Sequence, residues 1–329
     1  MIGPMEPRFV HLHLHTEYSL VDSTIRIGRL IERSASQAMP ALAVTDQSNL
    51  FALVKFYRAA EKAGIKPIVG CDLWLEDPAL QQPFRLTVLC QNLEGYRNLS
   101  RLVSRAYLDG HRGDHVVITP DWLLQDNAGL IVLAGRHSDV GRALIDDHPD
   151  EAAQRLVTWQ ATFGDRYYLE LTRTGREGEA VFEATALDLA QRHECPLVAS
   201  NDVRFLDADD FDAHEARVCI ASSRILPDPR RPRDYSPEQY FKSADEMVEL
   251  FADLPGALEN TVEIARRCNL ELSFGTYYLP VFPVPQGHDL DSWIRDQARA
   301  GLQRRLEGYA FTAELDRSQY EQRLETELD

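Results

Sequence analysis

Along the first two hundred residues, short apolar runs alternate with stretches whose apolar positions recur every three to four residues. The runs Phe9–His15, Ala41–Asp46, Pro67–Leu75, Phe84–Cys90, Leu130–Gly135, Tyr167–Leu171 and Leu197–Asn201 are rich in β-formers, as expected of buried parallel strands. Between them, Ile25–Gln37 places Ile27, Leu30 and Ile31 on one helical face. Leu50–Ala63, Leu93–Leu108, Ala152–Phe163 and Ala180–His193 read the same way. Seven strands with intervening helices predict an α/β barrel or a doubly wound sheet, in which chemistry gathers at the C-terminal ends of the strands.

Beyond Asp202 the pattern turns helical, over Asp212–Ser222, Ser243–Ala252 and Ala257–Cys268. A charged, turn-rich loop, Pro227–Ser236, separates the first two. Leu279–Gly287, with Pro280, Pro283 and Pro285, reads as a linker. Leu290–Leu306 and Ala313–Leu328 follow as helical patterns, and the last shows no Gly or Pro stop, as in a piece of a longer chain. Met5 offers a second start, with Met1–Pro4 as an extension.

Composition narrows this picture. The chain has 329 residues and 44% hydrophobic residues, enough for a sizeable core. Its formal net charge of -17 repels a phosphate backbone, so the main nucleic-acid groove is not expected in these residues. Cys71, Cys90, Cys195, Cys219 and Cys268 form no C-x-x-C pair, which argues against a thiolate zinc site and for buried thiols in a reducing cytoplasm. No apolar run has the length of a membrane span, and the first residues lack a signal-peptide pattern.

The strongest chemical signal is His11-Leu12-His13-Leu14-His15. Side chains alternate along a strand, so the three histidines are expected to share the inward face and Leu12 and Leu14 the helix-packed face. Buried imidazoles need hydrogen bonds or a cation, and this spacing supports a metal site and a metal-free cluster equally. Carboxylates stand where strands should end, at Asp22, Asp46, Asp72 and Asp202. Two histidines and several aspartates at one rim would suit a polynuclear centre for phosphoester hydrolysis. His111, His115, His148, His193, His214 and His288 lack ligand spacing and are expected at the surface or as caps, and Arg230-Arg231-Pro232-Arg233 as a solvated loop. There is no P-loop, dinucleotide fingerprint or G-x-S-x-G.

Phe9-Val10-His11-Leu12-His13-Leu14-His15-Thr16-Glu17-Tyr18-Ser19-Leu20-Val21-Asp22 resembles the opening motif of PHP domains. The likeness continues through Thr45-Asp46, Lys66-Pro67-Ile68-Val69-Gly70, Glu94-Gly95-Tyr96-Arg97-Asn98-Leu99, Tyr168-Leu169-Glu170-Leu171 and Asn201-Asp202-Val203. Phe241-Lys242-Ser243-Ala244-Asp245-Glu246-Met247 and Pro255-Gly256-Ala257-Leu258-Glu259-Asn260-Thr261 resemble the alpha subunits of bacterial DNA polymerase III, the C-family replicative polymerases. The resemblance implies a distorted (β/α)7 PHP barrel, followed by a mostly helical segment and the beginning of a polymerase palm. The expected divisions are an N-terminal extension over 1–7, the PHP domain over 8–270, a linker over 271–288 and the start of the palm over 289–329.

In intact PHP domains, by this resemblance, the barrel holds three metals. The matching positions here are His13, His15, Asp22, Asp72 and Asp202, with Asp72 standing where the family usually has Glu. Five other ligand positions are substituted, by Gln47, Arg85, Arg136, Thr174 and Arg204, with His137 beside Arg136 as a compensating donor. A guanidinium stays charged and offers no lone pair. Arg85 and Arg204, joined by Arg136, are therefore expected to replace the metals as the charge that holds Asp22, Asp72 and Asp202 together.

Three readings follow from the resemblance. The first is the PHP region of a replicase whose parent chain carries out magnesium-dependent, DNA-templated nucleotidyl transfer with residues beyond Asp329. This region would then be a scaffold without a tightly bound cofactor that docks a proofreading 3′–5′ exonuclease subunit, other replisome subunits binding elsewhere. The second is a phosphoesterase or pyrophosphatase with residual zinc or manganese on His13, His15, Asp22, Asp72 and Asp202. The third is the error-prone paralogue of the same polymerase, against which the His-Leu-His-Leu-His-Thr-Glu-Tyr-Ser opening weighs.

Overall fold

The computed structural model describes the chain apart from residues 1–6, 79, 81, 114, 278 and 309–315. It forms two compact units, Met1–Leu272 and Ser273–Asp329.

In the first unit, α1 (Ile27–Ser36) leads to β1 (Ala41–Val44), and α2 (Leu53–Lys62) leads to β2 (Lys66–Leu75). β3 (Phe84–Cys90) and α3 (Leu93–Asp109) come next, then the small hairpin β4 (His111–Arg112) and β5 (His115–Ile118). α4 (Pro120–Gln125), β6 (Leu130–Ala134), α5 (Asp139–Ile145) and α6 (Pro149–Phe163) precede β7 (Tyr167–Thr172). α7 (Glu179–His193), β8 (Leu197–Ser200), α8 (Phe211–Ala221), α9 (Ala244–Leu250) and α10 (Pro255–Arg267) complete the unit. Side-chain caps on Thr119, Ser138 and Ser243 start α4, α5 and α9 by satisfying otherwise orphaned amides.

The sheet runs β1–β2–β3–β6–β7–β8, with β5 continuing beside the far half of β2. Residues 9–15 close it into a ring. His11 and Leu14 accept the amides of Ala43 and Thr45 on one side, and His13 and His15 exchange hydrogen bonds with Val203 on the other. The barrel therefore has seven staves. They are not all parallel: β3 runs antiparallel to both β2 and β6. The β2–β3 connection is too short for a crossover helix, which forces the return as a hairpin.

Two outer layers bury the helices against the strands. α1 and α2 cover Leu14, Leu42 and Val44, while α3, α6 and α7 cover Val88, Val132, Leu169 and Leu171. The lower interior is apolar, with Leu12, Ile68, Leu89, Ile131 and Val198 meeting Val262 and Ile264 of α10. Leu12 thus joins the interior while Leu14 packs outward, so the alternation expected through the histidine run breaks. All five cysteines are buried and free. Among the described residues, no helix is long and apolar enough to cross a membrane.

In the second unit, α11 (Leu290–Leu306) begins at a capping box between Asp289 and Ser292. α12 (Arg317–Leu328) is capped by Asp316, and the Arg299–Glu325 pair joins the two helices at 2.6 Å. The expected helix over Ala313–Leu328 begins later, at Arg317, and Ala313–Leu315 lie outside the described residues, as does the alternative start at Met5.

Candidate charge-filled site in the barrel mouth

The polar cluster forms where each stave's inward register reaches the upper rim. In β2 the inward series Ile68, Gly70, Asp72 changes from apolar to acidic, and in β7 the series Tyr168, Glu170, Thr172 does the same. Asp72 lies opposite Thr87 in the β2–β3 ladder, and the Thr87 hydroxyl donates to Asp72 Oδ1 at 3.2 Å. Gly135, at the end of β6, would bring a Cβ within 2.9 Å of Glu170 Oε2, so glycine there leaves room for that carboxylate. Asp202 follows β8 with φ of 45°, a left-handed conformation that aspartate tolerates better than most residues.

His13 and His15 both point into this mouth. His13 Nδ1 donates to Glu170 Oε1 at 2.9 Å, and its Nε2 lies 3.3 Å from Asp202. Burial opposes a charge on His13, but Glu170 and Asp202 outweigh it and push the imidazole up to about 10. His15 Nδ1 contacts Asp22 at 2.9 Å. Its buried Nε2 lies 3.4 Å from Asp72 Oδ2 and has no hydrogen-bond partner among the described residues. His11 does not join them. It packs between Phe9 and Phe241 and donates to the Lys242 carbonyl, and burial lowers its pKa to about 4.

The positive charge comes from arginine. Arg204 is wholly excluded from solvent, its Nη1 donating to Asp22 Oδ2 at 2.6 Å and its Nη2 to Asp202. Burial disfavours this guanidinium, yet Asp202 and Asp22 raise its pKa above the ordinary value. Arg85, inward on β3 with Thr87, holds Asp72 at 3.3 Å. Burial also works against the charge on Asp22, Asp72 and Asp202, and the neighbouring arginines and histidines still pull all three below the carboxylate range.

Several residues take places the sequence reading did not give them. Arg136 has no carboxylate within ion-pair distance among the described residues, and its Nη2 donates to the Glu177 carbonyl at 2.5 Å. The third core guanidinium is Arg176, held at 2.6 Å by Asp202 and 2.9 Å by Glu179. Thr174 supports Glu179 with its hydroxyl and its amide. The Gln47 amide bonds the Ser19 hydroxyl. Asp46 is a local brace that accepts from Thr16 and Ser19, with its pKa raised by burial.

The loop over Pro227–Ser236 is not merely solvated. Tyr235 donates to Asp22 at 3.2 Å, Ser236 to the Thr174 carbonyl at 2.6 Å, and Arg231 pairs with Glu215. His214, expected at the surface, is buried and donates to the Asp22 carbonyl at 3.0 Å.

This donor set does not suit a three-metal centre. Two of the carboxylates that would hold cations, Asp22 and Asp202, are capped by one guanidinium, and a positive charge beside a divalent ion opposes its binding. What remains among the described residues is one cluster, His13, His15 and Asp72, whose donor atoms lie within 4.8 Å of one another.

Residues 11–174 match the PHP domain model. The chain is 51% identical over 336 residues to "DNA polymerase III subunit alpha" of Xylella fastidiosa, covering 98% of this chain and 28% of that one. Identity to the Escherichia coli K12 protein of the same name is 47% over 329 residues. The chain thus spans about 28% of the length of these curated relatives. A solved amidohydrolase from Chromobacterium violaceum is 17% identical, with a TM-score of 0.40, covering 63% of this chain and 96% of its own.

Proposed function

Because the chain belongs to the family of DNA polymerase III alpha subunits and carries their PHP domain, we propose that this region is a metal-poor scaffold within a replicative polymerase. The observation that supports this most is the Arg204 guanidinium wedged between Asp22 and Asp202. A cation fixed to the chain neutralises the carboxylates without a diffusible ligand, so the barrel needs no metal to hold its upper rim together. The parent protein, in this reading, extends DNA by nucleotidyl transfer through residues outside this segment. The acidic surface suits contact with protein better than with a phosphate backbone, consistent with docking of a proofreading 3′–5′ exonuclease subunit. Co-purification of this chain with its cognate exonuclease tests the docking. Failure to co-purify, with both proteins folded, would remove that part of the proposal.

A second reading has one observation in its favour. The unpartnered Nε2 of His15 beside Asp72 and His13 is a donor arrangement that one zinc or manganese ion would satisfy, leaving a residual phosphoesterase. Metal analysis after dialysis separates the two readings. Stoichiometric metal with phosphatase activity supports the hydrolase, and metal well below stoichiometry with an unchanged fold supports the scaffold.

A further inference from the structure

Against a formal net charge of -17, the surface around the Glu17–Ser19 turn carries the opposite sign. Three segments meet at this turn. Arg217 of α8 donates to the Glu17 carbonyl at 3.1 Å, and Asn49, ahead of α2, donates to the Tyr18 carbonyl at 2.9 Å. The chain after α8 is folded back onto that helix by Arg231, which pairs with Glu215 and donates to the Leu226 carbonyl at 3.2 Å. Over residues 17–26, 47–55 and 217–234, Asp22 and Arg231 are taken up by Arg204 and Glu215. The exposed or half-buried charges that remain are six cations, Arg26, Lys55, Arg217, Arg224, Arg230 and Arg233, against three carboxylates, Glu17, Asp228 and Asp234. Glu17 is shared by Arg26 and Lys55, at 4.0 and 3.9 Å, and Asp228 by Arg224 and Arg230, at 3.8 and 3.3 Å.

Aliphatic side chains stand open to water on the same segments. Leu20 is 62% exposed, Ile220 80% and Ile225 67%, and Leu226, Phe51 and Val54 are exposed as well. Leucine and isoleucine left in water within one neighbourhood mark a contact surface more than a solvated one. A single-stranded nucleic acid would match the positive charge, but it stacks its bases on aromatic faces, and of these exposed side chains only Phe51 is aromatic. A protein segment matches both the charge and the aliphatic groups. Because Arg231 already anchors the loop after α8, docking there costs little ordering entropy.

We propose that the Glu17–Val21 turn, the start of α2 and the C-terminal end of α8 with its following loop form a docking surface for a protein segment that carries carboxylates and aliphatic side chains. This surface rests on the scaffold reading, with the cognate exonuclease subunit as the partner, and gives that contact a place on the chain. Carboxylates of the guest take the cations that Glu17 and Asp228 share, and its aliphatic side chains cover Leu20, Ile220 and Ile225.

Isothermal titration of the whole chain with the cognate exonuclease subunit, at low and at raised sodium chloride, tests the surface. The parent chain should bind, and more weakly as salt rises. Ile220→Asp/Ile225→Asp should weaken binding about tenfold or more, and Arg224→Glu/Arg230→Glu should weaken it and flatten its salt dependence. Val157→Asp and Val181→Asp, which place the same charge on exposed positions of α6 and α7, should leave it unchanged. Parent affinity in both double variants, with melting temperatures intact, would overturn the surface and leave the docking itself standing. No binding by the folded parent chain would remove the docking and the surface with it. Saturable binding of a single-stranded oligonucleotide that is lost in Arg224→Glu/Arg230→Glu, with exonuclease binding unaffected, would overturn the surface in favour of a nucleic-acid guest.

Discussion

Arg204 and Asp22, 182 positions apart in the chain, meet at 2.6 Å where both side chains are almost wholly excluded from water. The contact ties the turn after the first stave to the residues after β8, the seam at which the barrel closes. Removing one partner strands the other charge in a low-dielectric interior, which typically destabilises by ~3–5 kcal/mol. Arg204→Ala should therefore lower stability by that order in urea unfolding. The double variant Arg204→Ala/Asp22→Asn should recover part of the loss, because no carboxylate charge from position 22 is left facing the space that the guanidinium vacates. A double variant as unstable as the sum of its parts would argue that the pair does not act as a unit.

Arg176 and Arg136 should differ sharply. Arg176 is buried against Asp202 and Glu179, so Arg176→Gln should destabilise by roughly 3 kcal/mol or more. Arg136 makes no ion pair among the described residues, and Arg136→Gln should stay within about 0.5–1 kcal/mol of the parent. Thermal melts of the two variants side by side check this. The reverse order would mean that Arg136, not Arg176, neutralises the core.

Acid should weaken the fold in two stages. His11 is buried with a pKa lowered from 6.5 to about 4, so between those values the unfolded chain takes up more protons than the folded one. Stability therefore falls as pH drops through this window, by ~3 kcal/mol at pH 4 from this residue alone. His214, also lowered by burial, acts in the same direction. Asp22, Asp72 and Asp202 have depressed values, so their contribution is present above the ordinary 3.8 and is lost only as pH falls below it. Urea midpoints from pH 7 to pH 4 should slope downward in the parent and less steeply in His11→Asn. Equal slopes would show that His11 is not the titrating group.

Tyr235 links the 227–236 loop to the site through Asp22. Tyr235→Phe removes that hydrogen bond while keeping the ring beside His214 and Arg204, and should destabilise by about 1 kcal/mol. It should also increase hydrogen exchange of the loop amides. Unchanged exchange would indicate that Ser236 and Gln239 anchor the loop without it.

Much of the barrel was legible in the sequence because its staves are short apolar runs bounded by helical periodicity. The first stave shows the limit of that reading. Its alternation predicts one face for His11, His13 and His15, yet local irregularity sends His11 against Phe241 and Leu12 inward. The antiparallel course of β3 depends on the length of one loop, which apolar pattern does not encode. Glu170 was within reach, since a carboxylate in register with Tyr168 and Thr172 on a buried strand must face the interior. Arg176 was not, because it stands in an irregular loop where neither strand nor helix periodicity assigns a direction. His214 and Tyr235 were missed because their helix and loop fold back onto Asp22, 192 and 213 positions earlier in the chain.

On the scaffold proposal, fixed guanidinium groups, and not bound ions, hold the rim carboxylates. Anomalous diffraction from crystals grown with zinc and then with manganese separates the two. The expected result is no anomalous peak among His13, His15, Asp22, Asp72 and Asp202, with Arg204 seated between Asp22 and Asp202 and Arg85 on Asp72. A cluster of peaks coordinated by those residues, with Arg85 and Arg204 swung out to solvent, would contradict it.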